Sequence, residues 1–207
     1  MRPSYGLMAG ASLRSFLFCV RSLMRLTNRM EAKGLERIPR SGPLIIVANH
    51  TSNIDPPALM SQVVPVRPAA IMAKKEVFSF PPLGRLFLSW KGIPVDRSRD
   101  GGDMSALRAA MEVLKNGGCL VLFPEGTRSR GRQIRPKLGV AMLAHKTGAP
   151  VLPARIFNTE KLFKLGKITI KFGSPRRFDP AGPADRKEAY GEFSRTVMSD
   201  IFSIQED

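Results

Sequence analysis

His50 and Asp55 stand five residues apart in the stretch Asn49-His50-Thr51-Ser52-Asn53-Ile54-Asp55-Pro56. An imidazole and a carboxylate are the parts of a general base. The carboxylate holds one ring nitrogen and leaves the other to take a proton. On a regular helix the two would lie about 140° apart and would not meet; in a turn they can. The flanking residues predict a turn. Leu44-Ile45-Ile46-Val47-Ala48 reads as a buried strand, and a helical pattern begins at Pro56-Pro57-Ala58-Leu59-Met60. Asp55 precedes a proline, which disfavours the α region there and sets the helix boundary. The plainer alternative is a turn histidine beside a helix-capping aspartate. H-x4-D by itself leaves both open.

A second stretch carries different chemistry. Cys119-Leu120-Val121-Leu122-Phe123 reads as a strand and runs into Pro124-Glu125-Gly126-Thr127-Arg128-Ser129-Arg130. Glycine lets backbone approach a ligand closely, and arginine presents a planar fork that suits a phosphate. From Gly126 to Lys146 there are six basic residues and no acidic one. Arg97 ends another short strand, Gly92 to Arg97, and can converge on the same crevice. Solvated arginines in a polar loop, and an Arg97–Asp96 ion pair, are the alternatives for these positions.

The chain that must position these groups has 207 residues, suited to one domain with a sizeable core. Its net charge of +16 selects anionic partners: phosphate-bearing substrates, anionic lipid or nucleic acid. No helix-turn-helix, RRM or KH pattern accompanies the charge, so nucleic acid is not expected. The two cysteines, Cys19 and Cys119, lie in apolar runs and predict buried thiols rather than a disulfide framework. With two histidines and no ligand spacing, no metal site is expected. Walker, EF-hand and Rossmann spacings do not occur.

Strands are expected near 44–48, 69–73, 92–97, 119–123, 151–157 and 168–172, the last two as a hairpin. Helices are expected near 56–64, 83–90, 103–116, 139–146 and 184–204. Pro153 within 151–157 argues for an edge strand or a bulge. Glu31 to Gly42 reads as a connector. This alternation predicts a single-domain α/β layered fold, with a mixed, largely parallel central sheet flanked by helices. Residues 1–34 are set apart as an amphipathic membrane-interface helix and connector, and 35–207 as the main domain. Leu13, Phe16, Leu17, Val20 and Met24 form an apolar stripe, with Arg14, Arg21 and Arg25 opposite. Arginines interrupt every window long enough to span a bilayer. The stripe either packs on the core or lies in a membrane interface.

Taken together, the motifs resemble the glycerolipid acyltransferases. Asn49 to Pro56 looks like their H-x4-D block, and Ile93-Pro94-Val95-Asp96-Arg97 their second. Phe123 to Ser129 matches their third, and Val151-Leu152-Pro153-Ala154 is similar to their fourth. The four occur in order within roughly residues 35–175, and H-x4-D followed by F-P-E-G-T-R is a specific combination. The 1-acylglycerol-3-phosphate acyltransferases are the members most alike. Two departures stand out. The amino-terminal region lacks a long hydrophobic segment. Pro136-Lys137-Leu138-Gly139 lacks an aromatic that the family often has there.

The resemblance implies His50 as base and Asp55 as its partner, with an acceptor site made by Arg97, Glu125, Gly126, Thr127 and Arg128. Pro153 would shape the acyl-donor side. The implied partners are a lysophospholipid, acyl-CoA or acyl carrier protein as co-substrate, and an anionic membrane surface. No other cofactor is implied. The expected location is the cytoplasmic face of the cell membrane, peripheral or monotopic. A free glycerol 3-phosphate acceptor, or another lysolipid, would use the same chemistry. A non-catalytic basic module binding anionic membrane or nucleic acid is the alternative of another class. Ser52 is expected as a turn residue, His145 as a surface residue and Cys119 in the core.

Overall fold

The computed structural model describes residues 7–79, 83–96, 98, 103–129, 134–179 and 185–206. Its strands are β1 (Glu31–Lys33), β2 (Leu44–Ala48), β3 (Ala69–Lys74), β4 (Gly92–Val95), β5 (Cys119–Leu122), β6 (Val151–Phe157) and β7 (Thr169–Phe172). Its helices are α1 (Leu7–Asn28), α2 (Asp55–Val63), α3 (Leu83–Ser89), α4 (Met104–Lys115), α5 (Gly139–Thr147) and α6 (Arg186–Ser203). The sheet order is β1-β7-β6-β2-β5-β3-β4. Strands β6, β2, β5, β3 and β4 run parallel; β7 pairs antiparallel with β6, and β1 parallel with β7. The expected mixed, largely parallel sheet flanked by helices is what the chain forms.

Strands covered on both faces have no polar side to show, so they read as continuous apolar runs. All residues of β2 and β5 are buried. Leu44, Ile46 and Ala48 of β2 join α1 and α2 in one core. Ile45 and Val47 join α4, α5 and α6 in the other. The helices thus form two layers around the sheet, and β2 sits at its middle.

Four expectations are corrected. The segment 31–42 is not only a connector: Glu31–Lys33 pairs in register with Thr169–Lys171. Three residues without apolar alternation give no period to read. Pro153 lies in an interior strand rather than an edge, between β2 and β7. Its carbonyl accepts from Gly173 N just past the end of β7. A strand residue's nitrogen points the same way as its carbonyl, so the missing donor falls where the β7 ladder has already stopped. The pairing slips there by one residue, from Ala154 opposite Phe172 to Val151 opposite Arg176. The bulge half of the expectation therefore holds. Cys19 is exposed, while Cys119 is buried with its thiol pushed up to about 12 by loss of solvent. In α1, Leu13, Leu17 and Met24 are buried in the core, so the apolar stripe faces the domain. Ser12 accepts from the Trp90 indole at 3.1 Å, and Phe16 stacks on that ring. No described helix is long and apolar enough to cross a membrane.

One buried cation closes the end of the sheet opposite the site. The Arg67 guanidinium donates to the carbonyls of Pro39 (2.6 Å), Ser41 (3.3 Å), Gly42 (2.7 Å) and Gly117 (3.1 Å). It ties the loop entering β2 to the turn entering β5. Arg67→Met should lower the unfolding free energy by about 3 kcal/mol, because several buried carbonyls lose a charged donor at once. Arg67→Lys should recover little, since one ammonium cannot reach four acceptors. Urea unfolding of the two variants checks this; equal stability of Arg67→Met and wild type would contradict it.

Candidate active site

Strand β2 hands the chain to the site through Asn49. Its amide donates to Ile156 O (2.9 Å), and Ile156 N donates back to Asn49 Oδ1 (2.8 Å). This side chain imitates one more rung of the β2–β6 ladder. His50 is therefore delivered at the carboxyl end of the parallel strands, where open α/β sheets make their crevices. The His50 carbonyl accepts from both the backbone N–H (2.8 Å) and hydroxyl (3.1 Å) of Ser129. Its ring stacks on Phe123, with centroids 4.4 Å apart. Two loops, after β2 and after β5, hold the histidine between them.

The turn then folds back on Asp55, which is fully buried. Asp55 Oδ2 accepts from Thr51 N (2.6 Å) and Ser52 N (2.7 Å), and lies 2.9 Å from His50 Nδ1. Asp55 Oδ1 accepts from the Thr159 hydroxyl. A carboxylate only accepts, so His50 Nδ1 carries the proton of this bond. The lone pair of the neutral ring is then on Nε2. Helix α2 starts at Asp55, with prolines in its first turn where an N–H would have no partner anyway. Ser52 serves the turn, its hydroxyl accepting from Ile54 N at 3.3 Å.

Glu125 lies against this turn, 2% exposed. Its Oε1 accepts weakly from His50 N at 3.4 Å, and its Oε2 is buried without a hydrogen-bond partner. Burial pushes the Glu125 carboxyl above the ordinary carboxylate range, and the His50 N–H pulls the other way. Gly126 takes φ +67°, and a Cβ there would lie 3.2 Å from the Lys137 side chain. Lys137 N in turn donates to Pro124 O at 2.9 Å and closes the loop. Thr127 and Arg128 are exposed at its outer edge.

Arg97 is outside the described residues. Its neighbour Asp96 is engaged by Lys75 at 2.8 Å, which holds its carboxyl well below the usual range. Asp96 N donates to Asp103, the cap of α4, and so fixes the end of β4. Pro153 pairs with Val47, about 10 Å short of His50 along the strand. His145 lies on the other face, half-buried, stacked on Phe178 and 2.8 Å from the Tyr190 hydroxyl. Among the described residues no group of three or more His, Cys, Asp or Glu is placed to hold a metal.

Two contributors were not anticipated as such. Asn49 sat inside the motif but gave no sign of its pairing role. Thr159 gave none at all: it lies 104 residues from Asp55, in a short 3-10 helix over Thr159–Lys164.

The acyltransferase family model matches residues 29–157, more than half of the chain. A chloroplastic 1-acyl-sn-glycerol-3-phosphate acyltransferase of Brassica napus is 31% identical over 69% of this chain and 41% of its own length. The 1-acyl-sn-glycerol-3-phosphate acyltransferase of Bacillus subtilis is 28% identical over 77% of this chain and 81% of its own. The crystal structure of the 1-acyl-sn-glycerophosphate acyltransferase PlsC from Thermotoga maritima superposes with a TM-score of 0.69 at 29% identity. That match covers 96% of this chain and 81% of the other. The chain spans about two-fifths of the length of the chloroplastic relatives of Brassica napus and Arabidopsis thaliana and about half that of one from Borreliella burgdorferi.

The Glu125 environment has a measurable consequence. A carboxyl raised in the folded state binds its proton more tightly there than in the unfolded chain. Its contribution therefore costs stability as pH rises from the unfolded value of about 4.3 through the folded one. Glu125→Gln, which keeps an acceptor for His50 N, should be about as stable as wild type near pH 4 and more stable at pH 8. Thermal unfolding at both values checks this; an unchanged difference between them would contradict it.

Proposed function

The chain belongs to the acyltransferase family, and on that premise we propose that it acylates the free hydroxyl of 1-acylglycerol 3-phosphate to give phosphatidic acid. The acyl group comes from the thioester of acyl-CoA or acyl carrier protein. The observation that carries this is the His50–Asp55 bond, with Asp55 locked by three further donors. That bond leaves Nε2 as the basic nitrogen. His50 Nε2 takes the proton from the acceptor hydroxyl as its oxygen attacks the thioester carbonyl. Asp55 stabilises the imidazolium that forms. The carbon–sulfur bond then breaks, and the departing thiolate receives the proton back from His50. A thioester is already activated, so no side-chain nucleophile is needed.

The acceptor side draws on the loop after β5. Glu125 Oε2 lacks a partner in its buried position, and a hydroxyl of the glycerol unit is a suitable donor for it. The exposed Arg128, together with Arg97, supplies the charge for the acceptor's phosphate. Pro153 contributes through the shape of the sheet behind the donor. Both lipids carry acyl chains, so the enzyme works at a membrane surface, as a peripheral or monotopic protein on the cytoplasmic face. The net charge of +16 favours anionic lipid there.

Release of free thiol from acyl-CoA, measured against a panel of acceptors, tests this. 1-Acylglycerol 3-phosphate should be the preferred acceptor over glycerol 3-phosphate and uncharged lysolipids. Preference for glycerol 3-phosphate would keep the chemistry and replace the substrate. His50→Ala should lower kcat by about a hundredfold or more, with some stability lost with the buried ring but the fold retained, because Asp55 keeps its three other donors. Asp55→Asn should lose most activity, since an amide cannot stabilise an imidazolium. Near-normal turnover in pure His50→Ala protein would sink the mechanism.

Thr159 is a positioning residue in this scheme, acting through Asp55. Thr159→Val should lower kcat by about tenfold, the scale of one hydrogen bond to a charged group, with KM for both substrates little changed. Thr159→Ser should restore the rate. Failure of serine to rescue would mean that the methyl packing of Thr159, and not its hydroxyl, is what matters.

A further inference from the structure

The inward face of α1 uses the apolar stripe that sequence offered to a membrane. Other apolar side chains are left outside, and four of them lie on two segments that are fastened to each other. Phe163 is 94% exposed and Leu165 57%, both at the end of the 3-10 helix Thr159–Lys164. Leu23 and Leu26, one turn apart near the carboxyl end of α1, are 62% and 83% exposed. The two segments are joined by Asn28. Its buried amide donates to Leu162 O (2.9 Å) and Gly166 O (3.1 Å), and its carbonyl accepts from Ile168 N. Single exposed apolar residues need no explanation; four large ones on two segments fastened together do.

Basic residues surround them. Lys161, Lys164 and Lys167 alternate with Phe163 and Leu165, and Arg25 and Arg29 flank Leu26. Glu160 is the one acidic residue between 159 and 167, and Lys167 also bonds Glu31 at 2.8 Å. Amphipathic basic segments with an aromatic at the tip are suited to an anionic bilayer interface, where rings enter the headgroup boundary and lysines meet phosphates. The same segment begins at Thr159, bonded to Asp55. Whatever the tip touches is thus held beside the catalytic pair. The helix is bounded by Asn158 and Leu165, both with positive φ, so its two ends are sharply turned.

We propose that residues 159–167 and the last turns of α1 form the surface by which this protein docks on an anionic bilayer, with Phe163 as its inserting residue. This rests on the acyltransferase reading for its purpose and not for its test. Docking there brings the His50 end of the sheet against the layer that contains the acceptor.

The test uses the full chain and sedimentation with phosphatidylglycerol and phosphatidylcholine vesicles. Wild type should bind the anionic vesicles, and high salt should weaken binding. Phe163→Ser should weaken it about tenfold, the scale of one exposed ring's burial. The Lys161→Gln, Lys164→Gln double variant, which leaves Phe163 and Leu165 in place, should lose about fivefold per lysine. Acylation of a short-chain, monomeric acceptor should stay at the wild-type level in both. Wild-type vesicle affinity in both variants, whether the patch then serves a protein partner or nothing, would overturn the proposal. So would equal binding to the two lipids by wild type. Absence of acyl transfer to every acceptor, with vesicle binding behaving as expected, would instead remove the enzymatic reading and leave this surface standing.

Discussion

A buried carboxylate is tolerable only when its oxygens are occupied, and Asp55 is occupied by donors from three directions. The imidazole of His50 comes from the strand end, and two backbone N–H groups come from the turn between them. The hydroxyl of Thr159 comes from the far side of β6. Remove the carboxylate and each of these groups is left pointing at nothing. The turn, the orientation of the ring and the start of α2 all follow from satisfying this one anion. The five-residue interval between histidine and aspartate is the length of chain needed to curl back onto it.

The sheet supplies what that turn cannot, a fixed origin. β2 is central, buried on both faces and paired on both edges, so its last residue has little freedom. Asn49 extends the ladder by one rung before the chain leaves it. The positional accuracy of the core is thereby passed to His50 without an intervening flexible residue. The Arg67 clasp does similar work at the other end, where the loops enter the same strands. A catalytic pair on a turn can be placed as well as one on a strand if the turn is tied down this densely.

Legibility in the sequence followed range. Long apolar runs and local spacing showed β2, β5 and β6, the helix starting near Pro56, and the pairing of His50 with Asp55. These depend on residues within a few positions of each other. Thr159 was invisible because its partner is 104 residues away and a threonine in a loop has no period or motif. Residues Glu31–Lys33 read as connector in the sequence because their strand character comes wholly from the register with β7. The amphipathic stripe of α1 was legible as a stripe, but period alone does not say whether core or lipid receives it. Burial of Leu13, Leu17 and Met24 decided that. Pro153 misled in part, because an interior proline is acceptable where the neighbouring strand has ended, and strand ends are not written at the proline itself.

The two hydrogen bonds that Ser129 donates to the His50 carbonyl have a consequence for inheritance. His50 lies 75 residues from Glu125 and 79 from Ser129, yet each loop completes the other's hydrogen bonding. They cannot drift independently: a shift of either loop breaks bonds that the other depends on. The two stretches must be exchanged as a pair, together with the strand ends that aim them. What looks in the sequence like two separate motifs is one heritable unit, and recombination points that divide it at any place between β2 and β5 would split a single part.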